Sequence, residues 1–209
     1  MSGLRERQKA IRHDRIIDAA TRLFREQGYE HVKMEAIATA AEVAIGTIYN
    51  YYRNKGDLLV AIVSLEVEEV LRLGEEVIAS PPGSAEAAVD ALVGGYVEHS
   101  LNYLSKEMWR QAMAISTTQP ESPFGETYAD LDVALAGQTC QLLEKLQHLG
   151  LLNRTADAAS LGEVIFNNTN MNFIVFVKDE AMSLPQLRSH LRRQHRAVLA
   201  GFRMVAAGA

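Results

Sequence analysis

Lys33-Met-Glu-Ala-Ile-Ala-Thr-Ala-Ala-Glu-Val-Ala-Ile-Gly-Thr-Ile-Tyr-Asn-Tyr-Tyr-Arg-Asn-Lys-Gly-Asp-Leu-Leu59 is the stretch on which the fold of this 209-residue chain turns. Ile37, Ala38 and Ala41 share one face of a first short helix, expected over Met34–Ala41. A tight connection, Glu42–Ala44, leads to a second helix over Ile45–Tyr52, where Ile48 and Tyr52 recur at the (i, i+4) spacing of a buried stripe. Opposite that stripe lie Gly46, Thr47, Asn50 and Tyr51, small or hydrogen-bonding and without an acidic group. Two short helices joined by a tight turn, the second with a polar, non-acidic outer face, suit a helix-turn-helix whose second helix enters a major groove.

Around this stretch the chain reads as helices throughout. A helix over Lys9–Gln27 carries Ile16, Ile17, Ala20, Leu23 and Phe24 on one face and stops at Gly28. Its leading arm, Arg5 to Arg15, is basic, and both a DNA-contacting arm and a solvated terminus remain open for it. Asn54 and Asp57 approximate a capping box for a fourth helix that ends before Pro81-Pro82-Gly83, about 24 residues or roughly 36 Å long. Lys55 in its first turn opposes the helix dipole. Further helices are expected from Ser84 to Leu104, over Glu107–Ser116 after Ser105 as cap, and from Pro123 at N1 to the stop at Gly150. The last two run over Thr155–Lys178 and from a Ser183/Gln186 capping box to Val205. No strand alternation, repeat or low-complexity segment interrupts them.

Charge is divided along the chain. Net charge is −5, yet residues 1–56 hold ten Lys and Arg against seven acids, whereas the remainder holds eleven against nineteen. A basic head on an acidic body is what arises when one end meets phosphate. No apolar run reaches the ~20 residues of a membrane span, and the start lacks the apolar core of a signal peptide. Cys140 is the only cysteine, which excludes an intrachain disulfide and a multi-cysteine zinc site, so the expected compartment is cytoplasmic.

Ile37-Ala38, Ala41-Glu42-Val43, Gly46-Thr47-Ile48-Tyr49, Tyr51-Tyr52 and Lys55 with Leu58 resemble the signature of the TetR (tetracycline-repressor) family. The resemblance covers about 45 residues, a quarter of the chain or less; the rest matches in length and helix layout. It implies an all-α fold: a three-helix, homeodomain-like helix-turn-helix head on a C-terminal helical bundle, about nine helices in total. The corresponding division is 1–54 for DNA binding and 55–209 for ligand binding and dimerisation. It also implies that Thr47, Tyr49, Tyr51 and Lys55 hold phosphates while Ile45, Gly46 and Asn50 face base edges; Lys33 joins this DNA-binding set. Asn50 suits bidentate reading of adenine, and Ile45 suits a thymine methyl.

There are departures from the family. Glu42 stands where Gly is usual, and Lys33 and Ala44 stand where Ser or Thr is usual. Both short helices therefore lack the customary side-chain N-cap, at ~1 kcal/mol each.

Chemistry elsewhere is sparser. Four asparagines (Asn167, Asn168, Asn170 and Asn172) interrupt an otherwise apolar helix. A polar anchor in a ligand cavity, hydrogen bonds across a dimer interface and water-satisfied core amides all remain open for them, since unpartnered amides on apolar faces cost ~1–3 kcal/mol. Tyr96, His99, Tyr103, Trp109, Met113, Phe124, Tyr128 and Asn170 are the candidates for a mostly apolar ligand pocket, with Arg110 and Glu98 as nearby charges. Ala158, Ala159 and Gly162 suit close helix packing. No phosphate-binding glycine loop or nucleophile elbow is present, and His190 and His195 lie five apart rather than at metal-ligating spacing. No catalytic residue, metal or cofactor is expected.

The expected function is a ligand-responsive one-component transcriptional regulator, a repressor, binding a palindromic DNA operator as a homodimer through the last two helices and released by a small-molecule effector. The alternative is a DNA-binding protein of the same fold without an effector.

Overall fold

The computed structural model describes residues 2–202, the side chains of residues 2, 4 and 5 excepted, so the arm's Arg5 side chain and the expected helix end at Val205 lie outside the described residues. Among the described residues the chain forms nine α-helices and no strand. They are α1 Ser2–Gln27, α2 Met34–Ala40, α3 Ile45–Tyr49, α4 Lys55–Ala79, α5 Ala85–His99, α6 Lys106–Thr118, α7 Pro123–His148, α8 Ala158–Lys178 and α9 Leu184–Ala200. None is long and apolar enough to cross a membrane. Two compact units result: Met1–Leu65 with Asn102–Ala129, and Glu66–Leu101 with Asp130–Ala209.

In the first unit the apolar face expected of α1 is its buried face, with Ile16, Ile17, Ala20, Leu23 and Phe24 all inside. α1 begins earlier than expected because residues 3 and 6–10 are exposed and carry no apolar stripe that would announce a helix. Gly28 ends it at φ +82°, its N–H bonding to the Phe24 carbonyl at 3.1 Å. Lys33 and Ala44 cap α2 and α3 with no side-chain hydrogen bond, as their residue types dictate.

α2 closes in a Schellman motif, with Glu42 N–H on Thr39 O (3.1 Å) and Val43 N–H on Ala38 O (3.0 Å). That motif requires a left-handed residue, and Glu42 supplies it at φ +53°, which is the physical reason glycine suits this position. α3 is shorter than expected. After Tyr49 the Asn50 N–H is shared between the Gly46 and Thr47 carbonyls (both 3.3 Å) and the Tyr51 N–H turns to Ile48 O three residues back at 2.8 Å, tightening the last turn. Ile48 and Tyr52 are nevertheless buried together. At the start of α4, Asn54 Oδ1 accepts from Asp57 N–H at 3.0 Å, while the Asp57 carboxylate reaches back to Arg53 N–H at 2.8 Å, one residue before the cap.

The second unit packs on close approaches and polar bonds between its helices. α5 ends before its expected limit, where the Ser100 hydroxyl donates to Val97 O at 2.7 Å and residues 101–103 turn. Asp90 on α5 accepts two bonds from Arg192 (2.7 and 3.0 Å) and one from Arg188 (3.2 Å). Burial works against ionisation of Asp90, but the Arg192 bonds and both arginine charges hold its carboxyl below the usual range. Tyr96 hydroxyl donates to Gln138 Oε1 at 2.6 Å, and Gln138 Nε2 donates to Leu71 O at 2.7 Å. α7 closes in a second Schellman motif at Gly150, φ +71°. α8 starts at Ala158 rather than Thr155, because Thr155 is held in a turn by Asn153 Oδ1 and Asp157 is the residue that caps. The Ser183/Gln186 capping box opens α9 as expected.

Gly162 on α8 lies so close to α7 that a Cβ there would stand 2.7 Å from Cys140 Cα. We expect Gly162→Ala to destabilise the chain by about 1–3 kcal/mol in urea unfolding, since backbone cannot yield as a side-chain tip does; a gain in stability, as helix propensity alone dictates, would contradict this packing. At α2, Glu42→Gly should stabilise by about 0.5–1 kcal/mol, relief of left-handed strain outweighing the exposed Arg15–Glu42 ion pair. Unchanged or lower stability would show that the turn stores no strain.

Candidate nucleic-acid interface

The outer face of α3 is set by what its inner face buries. Ile48 is fully buried, which turns Ile45, Gly46, Tyr49 and Asn50 to solvent, with Thr47 half-buried. Ile45 and Tyr49, 37% and 49% exposed, stand one turn apart as an apolar pair outside the core. A Cβ on Gly46 would meet nothing within 4 Å, so the absence of a side chain there leaves the backbone open to close approach from outside. No acidic side chain belongs to α3. Lys33 is exposed at the start of α2, and Arg7, Lys9 and Arg12 are exposed along α1.

Two residues of the DNA-binding set have partners inside the chain. Tyr51, half-buried, donates its hydroxyl to Lys9 O at 3.4 Å. Lys55 Nζ donates to Tyr29 O at 2.8 Å and Glu30 O at 3.0 Å and lies 4.7 Å from the Tyr29 ring centroid. Burial pushes the Tyr29 hydroxyl up to about 12, with Glu30 adding to it.

The pocket candidates fall into two groups. Tyr103, Trp109, Met113, Phe124 and Tyr128 belong to the first unit. There Trp109 and Phe124 are buried, and Phe124 stacks on Tyr128 at 6.3 Å. Tyr96, His99 and Asn170 belong to the second unit. Tyr96 is engaged by Gln138, and His99, part-buried, pairs through Nδ1 with Glu66 at 2.7 Å and through Nε2 with Glu69 at 3.5 Å. Asn170 is half-buried. Glu98 pairs with Arg188.

Of the other asparagines, Asn172 donates to Gln194 Oε1 of α9 at 2.9 Å, Asn167 is exposed, and Asn168 keeps a buried Oδ1 with no hydrogen-bond partner. His195 is buried against Thr169, and burial pulls its imidazole down to about 4.

Three polar residues of the second unit escaped the sequence reading. Glu66 is 2% exposed although it sits among acids that read as a solvated face. The available signal was its (i, i+4) spacing from Ile62 and to Val70. Gln138 likewise lies four residues before Leu142 on the buried side of α7. Burial alone pushes the Asp132 carboxyl up to about 6.

Comparison with known proteins bears on the head most directly. The model of the bacterial regulatory proteins of the tetR family matches residues 16–62. The chain is 42% identical over 72 residues to the HTH-type transcriptional repressor KstR of Rhodococcus jostii (strain RHA1), a match covering 34% of this chain and 32% of that repressor. Across the first curated relatives the chain spans between 32% and 40% of their length. A solved structure from Mesorhizobium loti MAFF303099, described as a TetR-family transcriptional regulator, superposes with a TM-score of 0.74 at 23% identity, covering 93% of this chain and 98% of that one. Thermus thermophilus FadR, described as a TetR-family repressor in complex with lauroyl-CoA, superposes with a TM-score of 0.64 at 21% identity, covering 94% and 97%. At these identities the structural likeness shows the fold alone. Residues 16–62 thus match the bacterial regulatory proteins of the tetR family, and the nine-helix fold among the described residues is similar to that of the Mesorhizobium loti structure.

Proposed function

We propose that the chain is a ligand-responsive one-component transcriptional repressor of the cytoplasm, not an enzyme, which binds a palindromic operator as a homodimer and is released by a small, largely apolar effector. Residues 1–54 serve as the DNA-binding head and 55–209 carry effector binding and dimerisation. The observation that carries the reading is the outer face of α3, where exposed Ile45, Gly46, Tyr49 and Asn50 stand without an acidic neighbour on the same helix. Thr47, Tyr49, Tyr51 and Lys33 hold phosphates, which fix register, while Asn50 and Ile45 read base edges across Gly46.

Dimerisation is supported by α8. Val164, Met171 and Val175, 51%, 59% and 43% exposed, line one side of the helix at heptad-like spacing, an apolar stripe that a second copy covers together with α9. A twofold pair of heads then meets half-sites about one helical turn, ~34–36 Å, apart. Effector control requires a ligand with unequal affinity for the DNA-competent and released states, since equal affinity shifts nothing. Each unit offers its own candidates for ligand contact: Trp109, Phe124, Tyr128 and Tyr103 with Met113 in the first, and Tyr96, His99 and Asn170 in the second. The fatty acyl-CoA named for the FadR structure makes acyl thioesters the first compounds to try. A second reading, a DNA-binding protein of this fold without an effector, is favoured by one observation: Tyr96 and His99 already have partners within the chain.

Mobility shift on the DNA upstream of the chain's own gene, over a salt series with acyl-CoAs and apolar metabolites added, separates these readings. Specific binding that a compound releases supports the first; specific binding that nothing releases supports the second; no sequence preference at any salt rejects both. Tyr49→Ala should weaken binding to all sequences alike, whereas Asn50→Ala should lose about 1–3 kcal/mol of discrimination at one base pair. Unchanged preference in Asn50→Ala would remove Asn50 as the base reader.

A further inference from the structure

The turn from Gly28 to Glu30 joins α1 to the helix-turn-helix; two elements of the first unit converge on it, and a third bond ties α1 to the segment ahead of α6. From α6, the Glu107 carboxylate accepts the Tyr29 N–H at 3.1 Å and lies against Gly28, where an added Cβ would stand 3.3 Å away. From the first residue of α4, Lys55 Nζ holds the carbonyls of Tyr29 and Glu30. From the last turn of α1, Arg25 donates to the Asn102 carbonyl ahead of α6. The Tyr29 ring is 7% exposed, packs 5.1 Å from Phe24 and carries the Lys55 ammonium near its face. The turn's donor is thus held by an anion and its acceptors by a cation.

We propose that Lys55 and Glu107 are positioning residues that clamp this turn and so fix the angle at which α2 and α3 are presented to DNA, Lys55 acting through the turn rather than on a phosphate. The proposal rests on the DNA-binding reading and departs from the role that family resemblance implies for Lys55. Two of the three ammonium N–H bonds go to carbonyls and the charge lies over an aromatic ring. Only the third N–H is left for any other acceptor, so most of the donor capacity is spent on the turn. Glu107 and the turn it holds lie within the same compact unit. Glu107 sharpens the argument by its sign: a carboxylate in a unit that binds DNA repels phosphate, so an electrostatic role alone makes its removal favourable.

The test uses the full chain and two readouts. Amide hydrogen exchange at Tyr29, followed by NMR without DNA, reads the clamp itself. Fluorescence anisotropy on a 30-bp duplex, over a salt series, reads its consequence. Lys55→Met and Glu107→Leu should each speed Tyr29 exchange and weaken DNA binding by roughly tenfold or more at every salt concentration, with the slope of log Kd against log salt as in the wild type. Glu107→Gln, which keeps an acceptor, should restore most of both. The proposal is overturned if Lys55→Met lowers the salt slope by about one, as loss of a phosphate contact does, or if Glu107→Leu binds DNA more tightly. It is equally overturned if Tyr29 exchange is unmoved in both variants. Failure of the wild type to bind DNA would reject the functional reading and leave the exchange result to decide the clamp.

Discussion

A helix of five residues has no stability of its own, so α3 exists only because tertiary contacts impose it. Ile48 is its one fully buried side chain, and Tyr52 extends the anchor just past its end. That single attachment fixes the rotation of the helix about its axis, and with it which side chains face out. Everything proposed for DNA follows from this constraint: bury Ile48, and Ile45, Gly46, Tyr49 and Asn50 have no direction left but solvent. The Schellman turn at Glu42 then sets how far α3 lies from α2, through two backbone bonds and one left-handed residue.

The second unit depends on a different economy. Its helices meet through polar groups: the buried Gln138 between Tyr96 and the Leu71 carbonyl, the buried Glu66 with His99, and the half-buried Asp90 with two arginines. Such bonds contribute modestly when made but cost far more when one partner is removed, so they select one arrangement of α4, α5, α7 and α9 over near alternatives. Gly74 makes the point by space. A Cβ on it would lie 2.0 Å from Gln138 Oε1, so the amide occupies volume that only glycine leaves.

Much of this was legible in the residues, for reasons that can be named. Periodicity found the Ile48/Tyr52 stripe and the apolar face of α1, because both are decided by burial. Side-chain caps found Ser105 and the Ser183/Gln186 box, and glycine found the stops at Gly28 and Gly150, because each is decided by local chemistry. Periodicity also put Gly46 and Asn50 on the outer face of α3, and the family resemblance added Ile45 and Tyr49. What stayed hidden is decided by tertiary partners. The first residues of α1 carry no apolar pattern, and α5 ends where a serine hydroxyl bonds back. Glu66 hid among neighbouring acids, and Lys55 was read as a phosphate contact because its partners, the carbonyls of Tyr29 and Glu30, lie twenty-six and twenty-five residues away. Buried polar residues defeat a pattern reading because polarity and exposure are the same signal until a partner is seen.

The central claim is that the exposed face of α3 reads DNA from two heads related by a twofold axis. Selecting bound sequences from a random duplex library with the purified full chain tests it most directly. The account predicts enrichment of a palindrome whose half-sites are about 10 bp apart centre to centre, with the preference at one base pair of each half-site tied to Asn50. Recovery of no common sequence, or of a motif without twofold symmetry, would contradict it.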